Sequence, residues 1–365
     1  MSKRILEIIP TLDRAGAEKQ LCLLAAGLPR DEFDVHVCAL TRGGPLEGDL
    51  HAAGIPLTII GKRWKLDPRA FLRLKRHIAS LRPDLIHTWM FAANTYGFAA
   101  ARAYGVKNVL VGQRCVDPWK SGLQLAIDRQ LARRCRGVVV NSEGVRDFYV
   151  QHGAPADRVR VIPNGVAIPP PPGTTRRQLL AELELPDNAR LIGLVGRLWP
   201  QKRVKDAIWA ADLLKVVRDD AHLLVIGDGP QRDRLLRFRD QVRIRDKVHF
   251  LGQRGDVPRL LPHFDLLWST SGYEGQSNAI LEAMAAGVLV VATDIPGTRE
   301  LVVPGETGYL IPVGDRAAFC KFSERLLSDA ALAGRFSAAA RSRVAREFSV
   351  EKMIERHVAF YREVL

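Results

Sequence analysis

Gly272-Tyr273-Glu274-Gly275-Gln276-Ser277-Asn278-Ala279-Ile280-Leu281-Glu282-Ala283-Met284-Ala285-Ala286-Gly287 is the stretch from which the fold of this chain is read. An apolar run, residues 266–269, precedes it and another, residues 289–292, follows it. Two short apolar runs joined by a helix form a strand–helix–strand unit, which implies parallel strands with helices packed on the sheet. Ser277 or Asn278 is suited to start the helix and Gly287 to close it. The start of a helix offers backbone N–H groups and a partial positive charge, suited to phosphate or to a polarised hydroxyl. Glu274 lies just before that start and Glu282 about one turn inside it. Carboxylates there would repel phosphates but accept hydrogen bonds from hydroxyls, as sugars and riboses provide. A capped, solvent-facing helix with ordinary surface glutamates is the simpler alternative. Its weight is cut by Ser271–Gly272 in front and by the strand and loop from Val290 to Gly297 behind.

The same rhythm extends in both directions. Strands are expected at 5–9, 35–40, 57–60, 85–88, 108–112, 137–141 and 159–162, then at 191–195, 222–226, 248–251, 266–269, 289–292 and 308–311. Helical periods fall at 17–27, 68–80, 94–104 and 122–134, then at 205–218, 231–239, 257–261, 279–286 and 316–327. A chain of 365 residues is too long for one ordinary core. The prolines from Pro169 to Pro172 can continue neither a helix nor a central strand. They place a stiff boundary between an N-terminal domain, 1–168, and a C-terminal domain, 169–346. Two such α/β domains leave a cleft between the carboxyl ends of their sheets, where ligands of open parallel sheets bind.

Two further strand ends carry chemistry-bearing residues. Val195-Gly196-Arg197-Leu198-Trp199-Pro200-Gln201-Lys202 brings an apolar strand to a glycine, followed by two cations five residues apart. Arginine grips two phosphate oxygens and lysine acts as a point charge, a combination suited to neutralising a departing diphosphate. Alone the spacing is weak, because cations after a strand are common solvated residues. Near the start, Thr11-Leu12-Asp13-Arg14-Ala15-Gly16-Ala17-Glu18 leads from the first strand into a helix. Gly16 lets backbone approach a ligand closely, but G-x-G-x-x-G is absent, which weakens a dehydrogenase reading. Gly227-Asp228-Gly229-Pro230 marks another junction, equally readable as a plain tight turn.

Bulk properties bound the possibilities. With 54 Lys and Arg against 40 Asp and Glu, the formal net charge is +14, which favours anionic partners: nucleic acid, anionic lipid or phosphorylated substrates. The basic residues are scattered and lack an aromatic platform or recognition-helix pattern, so no nucleic acid is expected. Cys22, Cys38, Cys115, Cys135 and Cys320 form no C-x-x-C pair and read as reduced thiols. No apolar stretch is long enough for a membrane span. Met1-Ser2-Lys3-Arg4 runs into a short apolar segment interrupted by Glu7, read as a strand rather than a signal peptide. A cytoplasmic protein is expected, possible contact with the inner membrane face included.

In order along the chain, these segments resemble the GT-B-fold retaining glycosyltransferases of family 4. The resemblance rests on 15–18, on Val161-Ile162-Pro163-Asn164-Gly165-Val166, on Gly196-Arg197-Leu198 with Lys202, on 225–230, on Val248-His249-Phe250-Leu251-Gly252, and on Glu274 and Glu282 with seven residues between. It implies two Rossmann-like parallel-sheet domains facing across a cleft, with residues 347–365 crossing back to the N-terminal one. It further implies transfer of a sugar from a nucleoside-diphosphate sugar to an acceptor, with retention of configuration and no metal or other cofactor. Lipid-linked acceptors and precursors of cell-surface polysaccharide fit this class. Arg197 and Lys202 would bind the donor diphosphate. Glu282 would hold the ribose, and Glu274 with Gly275, Gln276, Ser277 and Asn278 the sugar ring; Glu274, Arg197 and Lys202 form the catalytic set. Gly16, Gly196 and Gly227 would bring backbone to the donor, Gly16 touching donor phosphate or acceptor, and Arg254 would flank the base. Arg14, Asn94 and Arg114 are the acceptor-side candidates.

There are departures from the family pattern. Many members carry a histidine where Val111-Gly112-Gln113-Arg114 stands here. A cationic Arg114 cannot act as a base at neutral pH, but it could bind an anionic acceptor or phosphate. Ala15 replaces a frequent glycine, and the ring-contacting loop reads E-G-Q-S-N where E-G-F-G is usual. A basic cluster, Lys62-Arg63-Trp64-Lys65 with Arg69, Arg73, Lys75 and Arg76, reads either as a docking face for anionic lipid or as the solvated side of an amphipathic helix. Competing readings are another GT-B nucleotide-sugar enzyme of the epimerase or phosphorylase kind, a basic nucleic-acid-binding protein, and a catalytically silent sugar-nucleotide sensor.

Overall fold

The computed structural model describes residues 2–169 and 173–365. Of the prolines from Pro169 to Pro172 that mark the expected stiff boundary, Pro170, Pro171 and Pro172 lie outside the described residues. The chain divides into two compact units, Met1–Gly165 together with Val350–Leu365, and Val166–Ser349. The division falls at Gly165/Val166 and the return at Val350, where the sequence placed them at 168/169 and 347.

The first unit is built on a seven-stranded parallel sheet of order β3-β2-β1-β4-β5-β6-β7. Its strands are β1 (Lys3–Ile9), β2 (Phe33–Ala39), β3 (Leu57–Ile59), β4 (Leu85–Trp89), β5 (Val109–Gln113), β6 (Gly137–Val140) and β7 (Val159–Val161). Strands covered on both faces have no solvent side to keep polar, so they read as apolar runs rather than as alternations. The main core gathers Ile5, Ile9, Leu21, Leu24, Phe33, Val37, Leu110 and Val139 around the sheet. The C-terminal helix Val350–Val364 joins that core through Met353, Val358, Phe360, Tyr361 and Val364.

The second unit carries a six-stranded parallel sheet of order β10-β9-β8-β11-β12-β13. Here the strands are β8 (Arg190–Val195), β9 (Ala221–Ile226), β10 (Val248–Gly252), β11 (Leu266–Ser269), β12 (Leu289–Thr293) and β13 (Gly308–Ile311). In each sheet the order reverses once, between β1 and β4 in the first and between β8 and β11 in the second. At such a reversal the helices on the two sides run over opposite faces and leave a crevice at the carboxyl ends of the strands.

The expected helices form, with one shifted start. The helix expected from Asn94 begins at Met90, directly after β4, and Met90 itself sits at φ 68°. That places Asn94 inside the helix. Six described helices have no counterpart among the expected ones: Glu47–Ala52, Glu143–Gln151, Arg176–Glu182, Pro296–Arg299, Ala330–Glu347 and Val350–Val364. Among the described residues no helix is long and apolar enough to cross a membrane.

Candidate active site

In the second unit, the decisive segment folds as a loop after β11 leading into the helix Asn278–Ala286. Ser277 occupies the N-cap with extended backbone, and Gly287 closes the helix at φ 77°, a conformation glycine adopts without strain. Glu274 sits in the loop on the carboxyl side of the β8/β11 reversal. Its carboxylate is held by three donors. Lys202 makes an ion pair to Oε1, the Ser271 hydroxyl donates to the same oxygen at 2.7 Å, and Gln201 Nε2 donates to Oε2 at 3.2 Å. Gln201 also donates to the Tyr273 carbonyl at 2.8 Å, and Gly272 N–H donates to the Gln201 carbonyl at 2.8 Å. The turn after β8 and the loop after β11 are thus tied together, 72 residues apart in sequence. The Glu274 side chain is 10% exposed and that of Lys202 21%, so their attraction is only partly screened by water.

Arg197 follows β8 on the same edge. It is exposed, lies over the Trp199 ring at 5.5 Å, and makes no ion pair among the described residues. Close backbone packing shapes the neighbouring turns. A Cβ on Gly227 would fall 2.0 Å from the Gly196 carbonyl oxygen, and one on Gly297 would fall 2.0 Å from that of Gly275. Glycine is therefore required where the turns after β8 and β9 touch, and where the loop after β12 meets the Glu274 loop. Glu282 is half-buried within the helix. Arg254 is engaged elsewhere: Asp256 holds it at 2.6 Å and Glu182 at 3.0 Å in a surface network that includes Arg259. Within this unit the structure brings Gly196, Lys202, Gly227, Glu274 and Gly275 into one packed edge, while the Arg254 guanidinium is taken up by carboxylates.

In the first unit, Arg14 and Gly16 are exposed on the turn after β1, and Ala15 at the N-cap of the helix Gly16–Gly27 offers no capping side chain of its own. Arg114 follows β5. Its guanidinium donates to the Asn164 side chain and lies over the Trp89 ring at 4.6 Å. Nε and Nη1 are buried without a hydrogen-bond partner, and no carboxylate pairs with the group among the described residues. Burial pulls its pKa down to about 9, which leaves it charged at neutral pH. Beneath it, Glu7 accepts from Trp89 Nε1 at 2.6 Å and from the Tyr361 hydroxyl at 2.7 Å, with His87 Nδ1 at 3.3 Å.

Asn94, expected on the acceptor side, is taken up by the fold instead. It is fully buried, its amide donating to the Gly112 carbonyl at 2.9 Å and its oxygen accepting from Thr88 at 2.8 Å. Both ends of the side chain brace β4 and β5, so it does not face an acceptor. Several positioning residues were not legible beforehand. Gln20 clamps Gly165 through two 2.8 Å hydrogen bonds, and Asn164 fixes Arg114. Buried Lys120, bound to Asp117, Asp128 and Tyr149, pins a loop that presents exposed Trp119. Among the described residues no group of three or more His, Cys, Asp or Glu could hold a metal.

Comparison with known proteins fits this arrangement. Residues 14–168 match the family model Glycosyltransferase Family 4, and residues 175–343 match Glycosyl transferases group 1. A glycogen synthase of Mycobacterium tuberculosis is 30% identical over 295 residues, covering 77% of this chain and 69% of that protein. This chain belongs to glycosyltransferase family 4. An Escherichia coli relative, UDP-Gal:alpha-D-GlcNAc-diphosphoundecaprenol alpha-1,3-galactosyltransferase, is 25% identical over 352 residues, covering 90% of this chain and 89% of the other. With the N-acetyl-alpha-D-glucosaminyl L-malate synthase of Bacillus anthracis, identity is 33% over 189 residues, about half of each chain. Among solved structures, Anabaena Alr3699/HepE in complex with UDP-glucose superposes with a TM-score of 0.89 at 23% identity, covering 99% of this chain and 100% of that one. The fold is accordingly the pair of Rossmann-like units called GT-B, and the family 4 chain is an enzyme that transfers sugars.

Proposed function

We propose that this family 4 glycosyltransferase transfers a sugar from a nucleoside-diphosphate sugar to an anionic acceptor, retaining configuration at the anomeric carbon and using no metal. The observation that carries the reading is the Lys202–Glu274 ion pair at the β8/β11 reversal, with unpaired Arg197 beside it. Arg197 and Lys202 supply two positive charges where a diphosphate would gain charge as the glycosidic bond breaks. Glu274, already held by Ser271 and Gln201, is oriented to accept from a sugar hydroxyl, and Glu282 from a ribose hydroxyl. The ring would lie against the backbone of Gly275, Gln276, Ser277 and Asn278. In the retaining step the bond from C1 to the phosphate oxygen breaks, and the acceptor oxygen bonds C1 on the same face. The acceptor proton passes to the departing phosphate. On this reading the unit Val166–Ser349 binds the donor, and the unit Met1–Gly165 with Val350–Leu365 is the acceptor-side domain.

Arg114 sets the acceptor class. A buried guanidinium with two unpartnered N–H groups and no carboxylate is costly unless an anion completes it. The Escherichia coli relative is named for a diphosphate-linked lipid, which is anionic. Arg114→Gln is expected to raise KM for the acceptor about tenfold or more while leaving donor KM unchanged. The transfer assay on the acceptor that supports turnover reads both constants, and an unchanged acceptor KM would contradict the assignment. In the same assay, NMR of the product's anomeric proton should show the donor's configuration.

A membrane-facing role for the basic cluster completes the proposal. The helix Pro68–Leu81 buries Ala70, Leu74 and Ile78, leaving Arg69, Arg73 and Arg76 exposed and Lys75 half-buried. Arg73 spends part of its guanidinium on the carbonyls of Ile60 and Gly61 at 2.8 and 3.0 Å. Trp64 and Leu66 are 61% and 85% exposed among these cations. Exposed apolar tips ringed by positive charge suit the surface of an anionic bilayer. Flotation with vesicles containing phosphatidylglycerol should recover the protein, and Trp64→Ser with Leu66→Ser should reduce recovery several-fold. Equal flotation on neutral vesicles would sink this part.

A further inference from the structure

A cavity of about 560 Å³ opens in the second unit between the helices Val204–Val217 and Arg232–Gln241, on residues that the transfer site does not use. Its wall holds Arg203, Lys205, Arg234, Arg237 and Arg316 against a single carboxylate, Asp206. That carboxylate is already committed: Arg203 donates to one oxygen at 2.7 Å and Arg316 to the other at 3.0 Å. Lys205, Arg234 and Arg237 make no ion pair among the described residues. Phe238 forms part of the wall, with the Lys205 ammonium 4.4 Å above its ring and Trp209 5.6 Å away. Lys205 is thereby fixed over a ring instead of sweeping freely through solvent. Cations gathered in one concave site repel one another, and the repulsion is relieved by a ligand that carries several negative charges. Arginine side chains match phosphate oxygens in fork geometry.

We propose that this cavity binds an oligophosphate anion, separately from the donor diphosphate at Arg197 and Lys202. The volume is that of a small-molecule site, and Asp206 keeps Arg203 and Arg316 in place so that the remaining three cations can close on the ligand.

The test uses the full chain carrying Arg197→Ala, which removes an expected donor-phosphate contact. Tripolyphosphate is titrated by calorimetry at low salt. Saturable binding is expected, weakened about tenfold or more by Arg234→Gln with Arg237→Gln. The control pair Arg243→Gln with Arg245→Gln removes the same charge outside the cavity and should leave affinity within about twofold. Without ligand, the cavity pair should melt at a higher temperature than its parent, because like-charge repulsion has been relieved. No binding by the parent, or equal weakening by the two pairs, overturns the proposal. Binding to vesicles of phosphatidic acid through Arg234 and Arg237 with none to soluble tripolyphosphate overturns it as well, since the surface would then be a lipid contact.

Discussion

Replacing Lys202 by alanine is expected to lower kcat for sugar transfer by about 10²–10³-fold, the usual loss when one preorganised charge donor is removed from a developing oxyanion. The ammonium faces Glu274 in the structure, so the substitution has two effects that must be separated. One is loss of positive charge at the departing diphosphate. The other is a carboxylate, one-tenth exposed, left with Ser271 and Gln201 as its remaining donors. The second effect destabilises the unit by about 1–3 kcal/mol and should be relieved in the double variant Lys202→Ala with Glu274→Gln. Transfer should stay low in the double variant, because neither the phosphate charge nor the carboxylate acceptor is restored. Steady-state kinetics and melting curves of the three proteins read these effects separately. Restored turnover in the double variant would show that Lys202 acts only by neutralising Glu274.

Deleting residues 350–365 should prevent the first unit from folding. Met353, Val358, Phe360, Tyr361 and Val364 are all buried in its main core. Burying each contributes about 1.5–3 kcal/mol, so the helix supplies on the order of 8–15 kcal/mol, as much as a whole domain commonly has in reserve. Its polar contacts are as deep. The Tyr361 hydroxyl donates to Glu7 at 2.7 Å and lies 2.7 Å from His87 Nδ1. Burial and the Glu7 carboxylate push the phenol well above its ordinary pKa, which keeps it a donor at neutral pH. Tyr361→Phe is the milder test and should cost about 1–3 kcal/mol by leaving a Glu7 oxygen short of a donor. Urea unfolding followed through tryptophan fluorescence, Trp89 being buried in this core, measures both. A truncated chain that unfolds at the same urea concentration as the intact one would contradict the role given to the helix.

Strands and site loops were legible in the sequence for different reasons. Every expected strand is present with ends moved by at most two residues, because a strand buried on both faces leaves an uninterrupted apolar run such as Leu223-Leu224-Val225-Ile226. The Glu274 loop was legible from local order: an apolar strand, small residues, an acid, a helix start and a closing glycine. The helix Ala330–Glu347 repeats Leu332, Phe336, Ala340 and Val344 every four residues, but alanines and arginines dilute that stripe in the sequence. Asn94 misled because a polar residue early in a helical stretch does not reveal which way it faces, and here the β4–β5 backbone absorbs it. Contacts between distant positions were out of reach in principle. Nothing local ties Gln201 to Glu274 or Asn164 to Arg114, which lie 73 and 50 residues apart.

Donor binding at the β8/β11 edge is read by a thermal-shift screen of the intact chain against UDP, GDP and ADP and their sugar conjugates, without added metal. A ligand at about 100 times its Kd stabilises the folded state by about 2.7 kcal/mol, which for a unit of this size is a rise on the order of 5–10 °C. Such a rise is expected for one nucleotide family, with chelator making no difference, and should be lost in Arg197→Ala. A rise that survives both Arg197→Ala and Lys202→Ala would place the donor away from the β8/β11 edge and contradict the site described here.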